Sequence, residues 1–335
     1  MNYNEFLEYA AGHIKDYLPP EYQTADVRLD TVNKMSEQYT GLTVRLEEQT
    51  AAPVANMKLF YEQYEATDSL EQTMQDMAKI LQMENPPFMD LESLKDYEQM
   101  KDNLFIRLST PEGNSSIMAD SPHRFEADLL MTYHIYMESP EGGFMSARVT
   151  NQMMEEFGIT EEQLHADAVL NTPNVLPPRV QSMMGALTGI EEEEPQMLVV
   201  TNEQGVLGAS ALFCPGVMDQ VQEMFKGDYF ILPSSQHEFI AVPDKGDFTR
   251  ANLETMVRQA NETVVDPVDK LSDAVYHYDS KDRIFERADT FEKRTQEKSA
   301  ERGSLLGKLQ DKKSEIERNA PAISKEKHRQ PGLAM

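Results

Sequence analysis

The segment from Asp228 to Asp244, DYFILPSSQHEFIAVPD, constrains the fold of this chain more than any other. Two apolar runs rich in aromatic and branched residues, Tyr229 to Leu232 and Phe239 to Val242, flank a polar insert, Pro233 to Glu238. Branched and aromatic side chains suit a pleated, half-buried surface, and proline and serine suit a turn, so the segment predicts a β-hairpin. Ser234, Ser235, His237 and Glu238 crowd into its turn, making it the one place where hydroxyls, an imidazole and a carboxylate meet in sequence.

Those four residues are the candidate catalytic group. On an extended strand Ser235 and His237 share a face with Cα atoms ~6.6 Å apart, within reach of a hydroxyl-to-imidazole contact. Glu238 points the other way and does not orient His237. The nucleophile-elbow pattern G-x-S-x-G is missing, and no run of backbone amides marks an oxyanion site. The simpler expectation is that these side chains cap turn amides.

Elsewhere, period and punctuation predict an α+β protein with a mixed or antiparallel sheet and packed helices. An opening helix is capped by Asn2 or Asn4 and closed at Pro19-Pro20. Strands follow at Asp26 to Val32 and Gly41 to Glu47, a helix starts at Pro53, and another spans Ser69 to Met83 with Leu70, Met74, Met77, Ile80 and Leu81 as its apolar stripe. A strand at Asn103 to Ser109 precedes the clearest alternation in the chain, Phe125 to Met137, read as one long strand with one face to a core and the other, Glu126, Asp128, Leu130, Thr132, His134 and Tyr136, wetter or covered by a helix. A helix from Thr160 to Asn171, strands at Met197 to Thr201 and Val206 to Phe213, and helices at Gly216 to Phe225 and Thr249 to Asn261 complete the pattern. The expected division is 1–100, a helical region with a hairpin; 101–287, a mixed domain; and 288–335, a flexible basic tail with a short helix near Leu305 to Ile316.

Charge narrows the functional classes. The 58 acidic and 31 basic residues give a net charge of −27. Residues 288–335 carry 11 Lys/Arg against 8 Asp/Glu, so the body holds 20 against 50 and a net charge of −30. A body of that sign repels nucleic-acid phosphates and anionic lipid. The basic tail is the element suited to an acidic partner, and an unknown protein partner is expected to engage it. No apolar run approaches the ~20 residues of a membrane helix, the N-terminus lacks signal-peptide character, and the single Cys214 sits in an apolar run. A cytoplasmic location and a buried structural thiol are the expectations.

Metal and cofactor chemistry find little support. Asp128 and His134 are ~20 Å apart on a continuous strand, and Glu161 with His165, one helical turn apart, lack a third ligand. The patterns H-E-x-x-H, the calcium loop, G-x-G-x-x-G and the phosphate loop do not occur. No cofactor is expected. The 21 methionines read as core filler.

The order of several segments carries a resemblance. GLTVRLEE (41–48), LFYEQYEA (59–66), SPHRFEADLLMTYHIYM (121–137), ITEEQLHADAVLNTPNVLP (159–177), VTNEQGVLGASALFCPGV (200–217), ILPSSQHEFIAVPDKGD (231–247) and LSDAVYHYD (271–279) together resemble a bacterial family of unknown function common in gut Clostridia and other Firmicutes. That family is distantly similar to the YtpQ-like proteins of Bacillus. The resemblance spans about Met1 to Arg287 and implies a fold and lineage without a mechanism. Cys214 departs from it, standing where an aromatic residue is expected. The tail, with GSLLGKLQDKKSEIE, is similar to arms on accessory proteins of conjugative elements, which implies a mobile-element setting. The reading carried forward is a non-catalytic cytoplasmic binding or regulatory protein. A hydrolase using Ser235 or Ser234 with His237, and an acidic mimic of DNA, are the alternatives.

Overall fold

The structure, a computed structural model, describes residues 1–35, 37–47, 52–82, 96–138 and 144–319. Its chain divides into two compact units, Met1–Arg287 and Ala288–Met335. The first unit is α+β and, among the described residues, contains three antiparallel sheets.

In the first sheet, β1 (Asp26–Lys34) pairs with β2 (Glu37–Arg45), which pairs with β3 (Val54–Asn56). Helices α1 (Tyr3–His13), α2 (Met57–Thr67) and α3 (Leu70–Leu81) share its core with Phe6, Ala10, Leu42, Val44, Met57, Met74, Met77 and Leu81. Asn2 caps α1 by accepting from Glu5 N while Glu5 reaches back to Asn2 N, and Ser69 caps α3. These reciprocal bonds satisfy amide groups that a helix start leaves unpaired. On α3 the expected stripe is buried at Met74, Met77 and Leu81, whereas Ile80 is exposed; the end placed at Met83 lies outside the described residues. Pro53 does not open a helix. Val54–Asn56 adds an edge strand first, and Asn56 caps α2.

The second sheet is built around a central strand. After α4 (Tyr97–Met100), β4 (Leu104–Ser109) and α5 (Ser115–Asp120) come β5 (His123–Glu126), β6 (Leu129–Glu138) and β7 (Phe144–Arg148). Strand β4 pairs with residues 130–135 of β6, while β5 and β7 pair with 129–132 and 134–138, end to end along its other edge. The long alternation is therefore not one strand: Ala127, at φ 56°, turns the chain left-handed and folds it into a β5–β6 hairpin. Phe125 lies opposite Leu130 and is half exposed. From Leu129 onward the alternation holds, with Leu129, Met131, Tyr133 and Ile135 in the main core and Thr132 and His134 on the reverse face.

Helices α6 (Asn151–Phe157) and α7 (Glu161–Val175) follow; Leu164 and Ala168 of α7 enter the main core. Thr160 caps α7, which runs past Thr172 and contains Pro173. The third sheet has the order β13-β12-β10-β11-β9-β8, from β8 (Pro178–Ser182), β9 (Leu198–Asn202), β10 (Tyr229–Ser235), β11 (Glu238–Pro243), β12 (Tyr276–Asp279) and β13 (Ile284–Arg287). Helices α8 (Met183–Thr188), α9 (Val217–Phe225) and α10 (Arg250–Thr263) accompany it. The expected hairpin is present as β10–β11, with a register shift between Pro233 and Ser235. The strand expected at Val206 to Phe213 is instead a 3-10 helix, Gly208–Phe213, entered through Leu207 in the left-handed region. An apolar run of this length does not by itself distinguish a buried strand from a buried helical turn. In the second unit, α11 (Ala288–Asn319) is far longer than the expected Leu305–Ile316 segment. Its Glu, Lys, Arg, Gln, Ala and Leu content favours helix without a core, aided by pairs such as Lys293 with Asp289.

Candidate functional site

The turn of the β10–β11 hairpin is bound into the fold at several points. Gln236 N donates to the Asp269 carbonyl at 2.7 Å, Ala209 N donates to the Gln236 carbonyl at 3.1 Å, and Thr201 Oγ1 donates to the His237 carbonyl at 2.8 Å. The candidate side chains have separate partners. Ser235 Oγ accepts from His237 N at 3.0 Å, and Ser234 Oγ donates to Glu238 Oε1 at 3.3 Å. Leu207 N donates to His237 Nδ1 at 3.2 Å, leaving Nε2–H to face Asp269 Oδ1 at 3.3 Å. That bond fixes the tautomer: with Nδ1 accepting, Nε2 carries the proton. The structure thus brings His237 to a carboxylate, Asp269, that sequence reasoning missed, and directs both serine hydroxyls elsewhere.

The same turn borders a cavity of about 330 Å3, lined by Asn33, Met35, Glu37, Arg107, His134, Ser146, Arg148, Gln236 and Val268. Sheet register assembles its polar wall. Directly paired residues share a face, and His134 is paired with Phe105 on one side and Arg148 on the other, with Arg107 two positions along β4 opposite Thr132. The tip of the β1–β2 hairpin contributes Asn33 and Glu37, and the β10–β11 turn contributes Gln236.

Arg107 anchors this wall. Its Nη2 donates to Gln236 Oε1 at 2.8 Å, and Gln236 Nε2 donates in turn to Asp269. Burial pulls the Arg107 guanidinium down to about 10, partly offset by Asp269, so it stays charged at neutral pH. Arg148 donates to Ser121 Oγ and pairs with Asp120 Oδ2 at 3.3 Å. His134 is buried. Its own burial and the nearby guanidinium groups of Arg107 and Arg148 hold it well below the usual histidine range, hence neutral. Thr132 Oγ1 lies 3.5 Å from the Arg107 carbonyl, to which it donates, and 3.1 Å from His134 Nε2. Arg107 Nε and His134 Nδ1 are buried without a hydrogen-bond partner among the described residues, as are Ser109 Oγ and Asn261 Oδ1.

The family profile that matches this chain covers residues 3–280 and describes a family of unknown function, DUF5688. The chain belongs to that family. No curated protein and no solved structure matches the chain. The family segment contains the whole cavity wall, the hairpin turn and Asp269, and leaves α11 outside.

The remaining candidates are scattered. His165 Nδ1 meets the Tyr133 hydroxyl at 3.1 Å. Asp128, in the β5–β6 turn, accepts from Tyr276 at 2.8 Å and pairs with Arg287 at 3.1 Å. Among the described residues, no group of three or more His, Cys, Asp or Glu side chains is placed to hold a metal. A larger cleft of about 710 Å3 contains Arg250, Arg258, Lys270 and Arg287; Arg250, Lys270 and Arg287 are ion-paired with Glu254, Asp273 and Asp128, and Arg258 Nη2 donates to Thr255 Oγ1 at 3.5 Å. Cys214 is buried, which pushes its thiol up to about 12. Thiolate is the alkylating species, so native protein is expected to resist iodoacetamide at pH 8 and to react fully once unfolded; mass spectrometry of the two samples checks this.

One signal of the cavity was present in the sequence. Arg107 is a single charge inside an apolar strand, LFIRLS, where a charged residue has to find a purpose on one face. Arg148 and Asp269 gave no comparable local signal.

Proposed function

We propose that this is a non-catalytic binding or regulatory protein that takes a small anionic ligand against Arg107 and Arg148. The observation that carries the reading is the pair of guanidinium side chains, Arg107 and Arg148, that strand register brings to one cavity lining. The −27 net charge opposes an anionic ligand at long range, so the two guanidinium groups have to supply the affinity locally.

The commitment of both His237 ring nitrogens, one to Leu207 N and one to Asp269, argues against a hydrolase built on Ser235 or Ser234. A general base needs a free nitrogen facing the hydroxyl. A cytoplasmic setting agrees with the single buried cysteine, while the gut-Clostridial lineage, the mobile-element setting and a tail-bound partner rest on segment resemblance and tail charge.

Isothermal titration calorimetry of the full chain against acetate, lactate, alanine and phosphate tests the proposal. One or more of these is expected to bind, and Arg107→Met is expected to weaken that binding by roughly 10–100-fold, the worth of one charge-assisted hydrogen bond. Arg148→Met is a second, independent variant. Absence of binding by all four at millimolar concentration overturns the reading. Ester hydrolysis lost in Ser235→Ala would establish the hydrolase in its place.

A further inference from the structure

Resting on that binding reading, we infer that the ligand is a zwitterionic α-amino carboxylate, a free amino acid. Its carboxylate meets Arg107 and Arg148, and its ammonium meets Glu37. Charges of both signs share this cavity lining: the two arginines come from β4 and β7 of the second sheet, and Glu37 from the first position of β2 in the first sheet. At about 330 Å3 the cavity lies at the low end of the ~300–1,000 Å3 range of small-molecule sites, so both signs act on one compact molecule. Arg107, Arg148 and Glu37 are each half-buried, and each therefore keeps accessible surface.

The existing partners of the arginines leave capacity for a carboxylate. A guanidinium carries five N–H donors. Arg107 donates through Nη2 to Gln236, and Arg148 donates to Ser121 and Asp120. Glu37 is the complement. Among the described residues its carboxylate makes no ion pair with either arginine, although all three line one cavity. A carboxylate in that position repels a ligand whose charge is only negative and attracts one that carries an ammonium beside its carboxylate. The charge of the whole molecule points the same way. A net charge of −27 opposes an approaching anion, whereas a zwitterion has no net charge to be repelled. An α-hydroxy acid of the same shape gains the arginine contacts and leaves Glu37 without a counter-charge. Sites that pair a polar group of the ligand discriminate strongly against analogues lacking it.

Calorimetry of the full chain at pH 7 with matched pairs tests the inference: alanine against lactate, serine against glycerate, leucine against 2-hydroxyisocaproate, and glutamate against 2-hydroxyglutarate. The amino member of at least one pair is expected to bind roughly tenfold tighter or more, the worth of one hydrogen bond between charged groups. Glu37→Gln keeps the shape and removes the charge, and should bring the two members of that pair to similar affinity. Arg107→Met should weaken both members alike. Hydroxy acids that bind as tightly as their amino partners in every pair overturn the inference and leave anion binding standing. Binding of acetate or phosphate with no response from any amino acid has the same meaning. Failure of every probe, acetate and phosphate included, overturns anion binding itself. A preference that survives unchanged in Glu37→Gln refutes the pairing of the ammonium with Glu37. Should that variant fail to fold, the wild-type pairs alone decide.

Discussion

Replacing Gly208 by alanine is expected to destabilise the first unit by about 3 kcal/mol or more, the upper range for forcing extra volume into a packed interior. A Cβ at this position would stand 2.2 Å from Thr201 Oγ1, 2.4 Å from the His237 carbonyl oxygen and 2.8 Å from Asn202 N. Two of these three atoms are backbone, so no rotamer change relieves the clash. The obstructed carbonyl belongs to the hairpin turn that holds Gln236 against Arg107, so the same variant should also weaken ligand binding in whatever fraction folds. Urea unfolding followed by circular dichroism measures the loss. Gly12→Ala is the contrasting control: it lies in α1 with nothing within 4 Å of its added carbon, and alanine there should be neutral or stabilising by up to about 1 kcal/mol. A small effect at Gly208 would mean that β9 and the turn separate easily, against the packing described.

The second large effect is an acid-dependent loss of stability through His134. Burial, Arg107 and Arg148 depress its folded-state pKa well below 6.5. The groups lining the cavity with it are Arg107 on β4, Arg148 on β7, Glu37 on β2 and Gln236 in the β10–β11 turn. As pH falls below 6.5 the unfolded chain gains a proton that the native state refuses. Stability therefore falls by about 1.4 kcal/mol per pH unit from this one group, down to its folded-state pKa. Carboxylates contribute their own acid dependence, so the test is a difference: urea unfolding of wild type and His134→Asn from pH 7 to pH 5. The wild-type curve should be steeper by that amount, and parallel curves would show that His134 titrates normally.

These two residues also mark where the sequence could and could not be read. The hairpin at Asp228 to Asp244, the helix capped by Thr249, the apolar face of α3 and the core alternation from Leu129 to Ile135 were legible, because each rests on local period, capping and turn chemistry. The same rules placed Thr132 and His134 together on the reverse face of β6. They failed where a local run admits two conformations. Leu207 to Phe213 is apolar enough for a strand, yet Gly208 packs against Thr201 and the His237 carbonyl, and a 3-10 turn results. Phe125 to Met137 alternates without a break, yet Ala127 takes a left-handed conformation that alternation does not signal.

By itself, then, the sequence determined the α+β class, the hairpin, the acidic body and the separate basic C-terminal segment, since period, turn residues and charge are properties of neighbours in the chain. Only the tertiary structure decided what the hairpin turn does. Asp269 lies more than thirty positions from His237 and more than 160 from Arg107, and Arg148 is brought to His134 by strand register rather than by spacing. Side chains that distant meet only after three sheets have chosen their partners, and no local pattern encodes that choice.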